Sequence, residues 1–110
     1  HQIIHRATLT ACRPQPNLSV KQIYSYEVMS STDYQTDINK NFFPNTFFDI
    51  SDVIDVKKTA LKIYQDEMRK QPHSRSIANI INNSYVRGSS VGVNYAEAFI
   101  LLRKIINFDN

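Results

Sequence analysis

Apolar positions change period several times along this chain, and each change predicts a new element. Residues 2–12 carry Ile3, Ile4, Ala7, Leu9, Ala11 and Cys12 among helix-tolerant neighbours, and Pro14 disfavours helical geometry at Arg13, so a helix is predicted to stop there. Pro14 and Pro16, with Asn17 and Ser19, then make a short rigid connection. Ile23, Ser25 and Glu27 alternate with Tyr24, Tyr26 and Val28, a period of two rich in strand formers, which predicts a strand. Residues 30–41 offer no apolar face and read as a long surface loop, a type of segment that often carries function. Phe42, Phe43, Phe47 and Phe48 return the chain to a core around Pro44, with a short extended piece over residues 47–50.

Either Ser51 or Asp52 can cap the helix expected next, with Asp52 and Asp55 placing negative charge at the positive end of its dipole. Val53, Val56, Ala60, Leu61, Tyr64 and Met68 fall on one stripe at helical spacing, the predicted buried face. Asp55, Lys58, Lys62, Asp66, Arg69 and Lys70 decorate the rest, where Lys62 with Asp66 and Asp66 with Lys70 can pair weakly at a spacing of four. Pro72 is expected to end this element. A further helix is predicted from Ser74 or Ser76, burying Ile77, Ile80, Ile81 and Tyr85 and closing at Gly88, which accepts a left-handed C-terminal cap. Gly88 and Gly92 are the only glycines, so each is expected where a side chain does not fit. Residues 95–106 combine helix formers (Ala96, Glu97, Ala98, Leu101) with a compact apolar run, and are read as a strand. Helices and strands interleave, so the predicted class is α/β, with helices packed on a small sheet.

Composition bounds what this pattern can be. With 110 residues, 42% hydrophobic and 21% charged, the chain is too short for two independent domains, and residues 1–110 are read as one domain or part of one. A net charge of +3 arises from 13 Lys and Arg against 10 Asp and Glu without any block of like charge, so no nucleic-acid partner is expected. The single cysteine, Cys12, excludes an internal disulfide and a cysteine-rich zinc site and fits a reducing compartment, so a cytoplasmic location is expected. No apolar run approaches the roughly 18 residues of a membrane-spanning helix. The opening residues lack the layout of a signal peptide and carry no initiator Met, so the start need not be a natural one.

Candidate chemistry is sparse. His1 and His5 stand four apart, which on a helix puts both rings on one face, as a pair of zinc ligands requires. The metalloprotease pattern needs Glu after its first histidine, and Gln2 stands there; exposed surface histidines are the alternative. His73 and Arg75, in Pro72-His73-Ser74-Arg75-Ser76 at a predicted helix start, suit an anionic or hydroxyl-rich ligand, or else form a capping turn. Arg87 beside Gly88 is either a ligand contact or a charge complementing the helix C-terminus. Glu97, flanked by Ala96 and Ala98, requires a partner if it faces inward, a nearby Arg being the simplest. The Tyr and Phe residues mostly fall on strand and helix faces and read as core.

The order of short motifs resembles the LmbE/PIG-L family of zinc-dependent N-deacetylases, across nearly the whole chain. It runs from His1 through Thr10-Ala11-Cys12-Arg13-Pro14, Tyr26-Glu27-Val28-Met29-Ser30-Ser31-Thr32, Phe42-Phe43-Pro44-Asn45 and Phe48-Asp49-Ile50-Ser51. It continues through Lys57, Ala60-Leu61, Tyr64, Glu67-Met68-Arg69, Pro72-His73-Ser74-Arg75-Ser76, Arg87-Gly88, Gly92 and Ala96-Glu97-Ala98-Phe99. The resemblance implies the C-terminal half of a Rossmann-like deacetylase fold, with His1 in the place of a zinc ligand. The remaining ligands and the general base of that family come from a His-Pro-Asp-Asp-Glu motif, and the chain contains none. His5 matches no ligand of the family.

Implied activity is metal-assisted hydrolysis of an N-acetyl group on an amino sugar or its conjugate. This chain is expected to supply His1 and a substrate wall of His73, Arg75 and Arg87, to face an amino-sugar or nucleotide-sugar substrate, and to depend on a missing N-terminal half. Alone it is expected neither to hold Zn2+ tightly nor to turn over substrate. The rival expectation is a non-catalytic binding or oligomerisation module of the same fold, a homo-oligomer among its possible forms.

Overall fold

A computed structural model describes residues 1–108. The first helix, α1 (Gln2–Ala11), ends one residue before the predicted stop, with Cys12 as its C-cap and Pro14 just beyond. Strand β1 (Gln22–Tyr26) follows, and residues 30–41 are irregular apart from a single 3-10 turn at Ile38–Lys40 that Asp37 caps. Strand β2 (Thr46–Asp49) leads through a 3-10 turn into α2 (Ile54–Ile63); helix α3 (Ile77–Ser89) then leads to strand β3 (Ala96–Lys104). The class is therefore mixed α/β: three helices and one small sheet.

That sheet is built on the segment whose residue types left helix and strand both open. β3 lies in the centre and pairs antiparallel with both β1 and β2, in the order β1-β3-β2. A break in register between Ile23 and Tyr24 lets β1 follow the longer central strand. Tyr24, Phe48 and Phe99, one from each strand, meet edge to face at centroid distances of 5.3 to 6.2 Å. Helix α3 packs on β3, which Ala96 and Ala98 permit: both are buried, at 1% and 4% exposure, and neither has a side chain long enough to hold the helix away.

Gly88 corrects one expectation. It does not cap α3, which continues to Ser89; a Cβ at Gly88 would lie 2.7 Å from the Val93 carbonyl oxygen and 2.8 Å from the Tyr95 backbone. Close crossing of helix and returning chain is thus what excludes a side chain here, while the left-handed residue is Gly92, at φ +82°.

The predicted buried face of α2 is also corrected. Val53, Val56, Ala60 and Tyr64 are exposed, whereas Leu61 is half-buried as predicted and shares the inward side with Ile54 and Lys57, at i, i+3 and i+7. Neither Ser51 nor Asp52 caps the helix; Val53 occupies the cap position without a side-chain bond. The helix stops at Ile63, short of Pro72, because Ile63 and Tyr64 find no packing surface and helical stability comes mostly from a buried face. Asp66 sits in the following 3-10 turn (Gln65–Glu67), so the spacing that would have paired it with Lys62 and Lys70 is lost. On α3, Ser76 caps as predicted by accepting from the Asn79 N–H at 3.1 Å, but Tyr85 is exposed.

Apolar burial is shallow. Ile23, Ile54, Ala96 and Ala98 are the buried hydrophobic residues among those described, while every residue of α1 is exposed, Ile3 at 81% and Ile4 at 70%. The accessible surface is 8499 Å², against roughly 6200 Å² for a compact chain of this mass. The radius of gyration is 16.1 Å, where about 13 Å is usual for this length. The exposed α1 and the shallow burial elsewhere both fit these departures; α1 is tied to the rest where the Arg103 guanidinium donates to the Cys12 carbonyl at 2.5 Å. No helix of the described residues is long and apolar enough to cross a membrane.

Candidate ligand-binding cleft

Glu27, one residue past β1, continues the alternation that buries Ile23 and carries a carboxylate toward α3. There it accepts three hydrogen bonds: from Arg87 Nε to Oε1 at 3.1 Å, from Arg87 Nη2 to Oε2 at 2.7 Å, and from Asn83 Nδ2 to Oε1 at 2.8 Å. The fork of the guanidinium matches the two oxygens, and the pair is only 13% (Glu27) and 26% (Arg87) exposed, so it anchors strand to helix. Phe42 lies under the other side of Arg87, with Cζ 5.8 Å from the ring centroid.

Around this anchor opens a cleft of about 510 Å³. One wall is a stripe of α3, where Asn79, Asn82, Asn83, Val86 and Arg87 recur at i, i+3, i+4, i+7 and i+8. The opposite wall comes from the irregular segment after β1, including Thr32, Asp33, Gln35 and Phe43. That segment is shaped locally: Thr32 Oγ1 accepts from the Val28 N–H and donates to the Val28 carbonyl, both at 3.0 Å. An adjoining cavity of about 310 Å³ shares Glu27, Met29 and Asn83 and reaches Lys57 and Glu97. Lys57 Nζ lies 3.1 Å from Glu97 Oε1 and donates to Ser84 Oγ at 2.8 Å, so the partner of Glu97 is a lysine of α2 and not the expected arginine.

Of the residues singled out in the sequence, Arg87 lines the larger cavity, and its charge is engaged by Glu27. His73 and Arg75 lie in the turn before α3 and line neither cavity. Their bonds organise that turn: the Arg75 N–H donates to His73 Nδ1 at 3.0 Å, and the His73 ring meets Tyr34 edge-on at 6.3 Å. His1 stands exposed at the start of α1, where its carbonyl accepts from the His5 N–H at 2.9 Å. No three His, Cys, Asp or Glu side chains gather among the described residues as a metal site would require, so the residues present do not by themselves fit zinc.

Glu27, Asn79, Asn82 and Asn83 also line the cleft and are not among the site residues expected from the sequence. A signal existed: a carboxylate in phase with buried Ile23, and three asparagines on one helical stripe ending at Arg87. No family model matches this chain, and no curated protein matches it either.

Proposed function

We propose that this chain is the substrate-side part of a zinc-dependent N-deacetylase of the LmbE/PIG-L type, acting in the cytoplasm on an N-acetylated amino sugar or its conjugate, and inactive by itself. One observation carries the reading: segments that share the resemblance but lie far apart in sequence, Tyr26-Glu27-Val28-Met29, Phe42-Phe43 and Arg87-Gly88, contribute Glu27, Met29, Phe42, Phe43 and Arg87 to one cleft. Carboxamides and a hydroxyl on the same walls suit a hydroxyl-rich ligand. In this reading an N-terminal half supplies the metal ligands beyond His1 and the general base, and covers the exposed Ile3 and Ile4 of α1. The lone cysteine supports the reducing compartment.

The test is a titration of the isotopically labelled chain with N-acetylglucosamine, alongside an assay for released acetate. Amide shifts confined to Asn79, Asn82, Asn83 and Arg87, without acetate release, are expected. Turnover by this chain alone would refute its inactivity, and an unmoved spectrum would remove the substrate-wall role. The uncovered apolar residues of α1 also favour a second reading, an assembly module of the same fold. It predicts concentration-dependent dimers in sedimentation and no response to the sugar.

A further inference from the structure

We infer that the cleft takes an uncharged, hydroxyl- or amide-bearing ligand and discriminates against phosphorylated or nucleotide-linked forms of it. This rests on the proposed role of the cleft as a sugar-facing wall and narrows it to one substrate class.

Charge decides the matter. Two carboxylates, Glu27 and Asp33, face the cleft against one guanidinium, Arg87. That guanidinium is already committed, its Nε and Nη2 on the two oxygens of Glu27 and one face turned to the Phe42 ring. A phosphate could reach only the N–H groups of Arg87 that Glu27 leaves over, on a guanidinium whose charge is already balanced, and would set a further negative charge beside a mostly buried carboxylate. The adjoining cavity repeats the arrangement, because Lys57 is held by Glu97 and Ser84. Each cation lining the two cavities therefore has its own carboxylate, and Asp33 leaves the larger cleft with an excess of negative charge.

Neutral groups dominate what remains. Gln35, Asn41, Asn79, Asn82 and Asn83 bring five carboxamides, and although Gln35 already accepts from the Asp37 N–H, together they still offer both acceptors and N–H donors, the complement of hydroxyl and acetamido groups that give and receive hydrogen bonds. Asn79 and Asn83 direct their amide N–H groups to the Ser74 carbonyl and to Glu27, which fixes the side chains and presents their oxygens for a ligand donor. Phe43, at 70% exposure, offers a ring for the C–H face of a saturated ring to lie against.

Calorimetric titration of the chain with N-acetylglucosamine, with its uridine-diphosphate conjugate and with pyrophosphate separates the possibilities. The conjugate should bind no tighter than the free sugar, and pyrophosphate should not bind. Glu27→Gln, which releases Arg87, should shift the preference toward the conjugate by about tenfold, roughly 1.4 kcal/mol. Far-UV circular dichroism checks that this variant is folded, and the wild-type comparison decides the question without it. If the wild-type chain binds the conjugate about tenfold tighter than the sugar, with the same cleft amides shifting, the charge inference is overturned while the sugar-wall reading stands. If neither sugar binds, both are overturned.

Discussion

Glu27 and Arg87, 60 residues apart, share two hydrogen bonds of 3.1 and 2.7 Å, and through them the end of β1 is fastened to the last turns of α3. Because the pair is largely shielded from water, breaking it from one side leaves a charge with reduced solvation. Arg87→Ala should cost about 2 kcal/mol in urea unfolding, below the roughly 3 to 5 kcal/mol of a fully buried pair, since the pair is partly exposed and Asn83 still donates to Glu27. Glu27→Ala should cost a similar amount, and the double variant clearly less than the sum. Additive losses would show that the two side chains stabilise the fold independently.

The two glycines should respond differently to alanine. At Gly88 a methyl group meets backbone atoms of Val93 and Tyr95 that cannot swing aside, so Gly88→Ala should lose about 2 to 3 kcal/mol. At Gly92 there is open space but a positive φ, and Gly92→Ala should lose about 1 kcal/mol. Thermal melts of the two variants give the order, and a larger loss at Gly92 would contradict the close crossing at Gly88.

Ser51 joins β2 to the start of β3 by donating its hydroxyl to Asp49 Oδ1 at 2.6 Å and accepting from the Tyr95 N–H at 3.1 Å. That hydroxyl first, and the Ser51 backbone N–H second, hold the Asp49 carboxyl below its ordinary value. The native state thus binds this proton less readily than the unfolded chain. Its contribution to stability is present above the unfolded carboxylate value near pH 4 and disappears as pH falls through the lower native value. Ser51→Ala should raise the Asp49 midpoint in a carbon-detected NMR titration and flatten the acid limb of the stability profile. An unmoved midpoint would mean the hydroxyl does not stabilise the carboxylate.

Helix α1 should tolerate polar substitution. Since Ile3 and Ile4 are exposed, replacing both with Ser should change the unfolding free energy of this chain by no more than about 0.5 kcal/mol. Amide exchange in α1 should also be much faster than in β3. Strong protection of α1 in the chain on its own would show that its apolar residues are covered by a second copy.

Much of the element order was legible because local signals agreed. Pro14 bounds α1, alternation marks β1, Ser76 caps α3, and each depends on a residue and its near neighbours. Where local signals competed, packing decided. Of the stripe Val53, Val56, Ala60, Leu61 and Tyr64, only Leu61 turns inward, and the buried side is completed by Ile54 and by Lys57, which reaches Glu97. Gly88 was correctly marked as a place without room for a side chain, yet the obstruction is the backbone of Val93 and Tyr95, which no cap rule anticipates.

For the site, the sequence by itself determined the ingredients: Arg87 as a charge of interest, a loop free to line a cavity, and a helical spacing of Asn79, Asn82 and Asn83 whose meaning emerges only beside Glu27. Tertiary structure alone decided that Arg87 is neutralised by Glu27, that His73 and Arg75 shape a turn outside both cavities, and that β3 sits between two strands drawn from distant segments. The physical reason is range. Caps, turns and periodicity act over a few residues, whereas the partner of a charge is whatever the folded chain brings within about 4 Å of it, and here that partner lies 60 residues away.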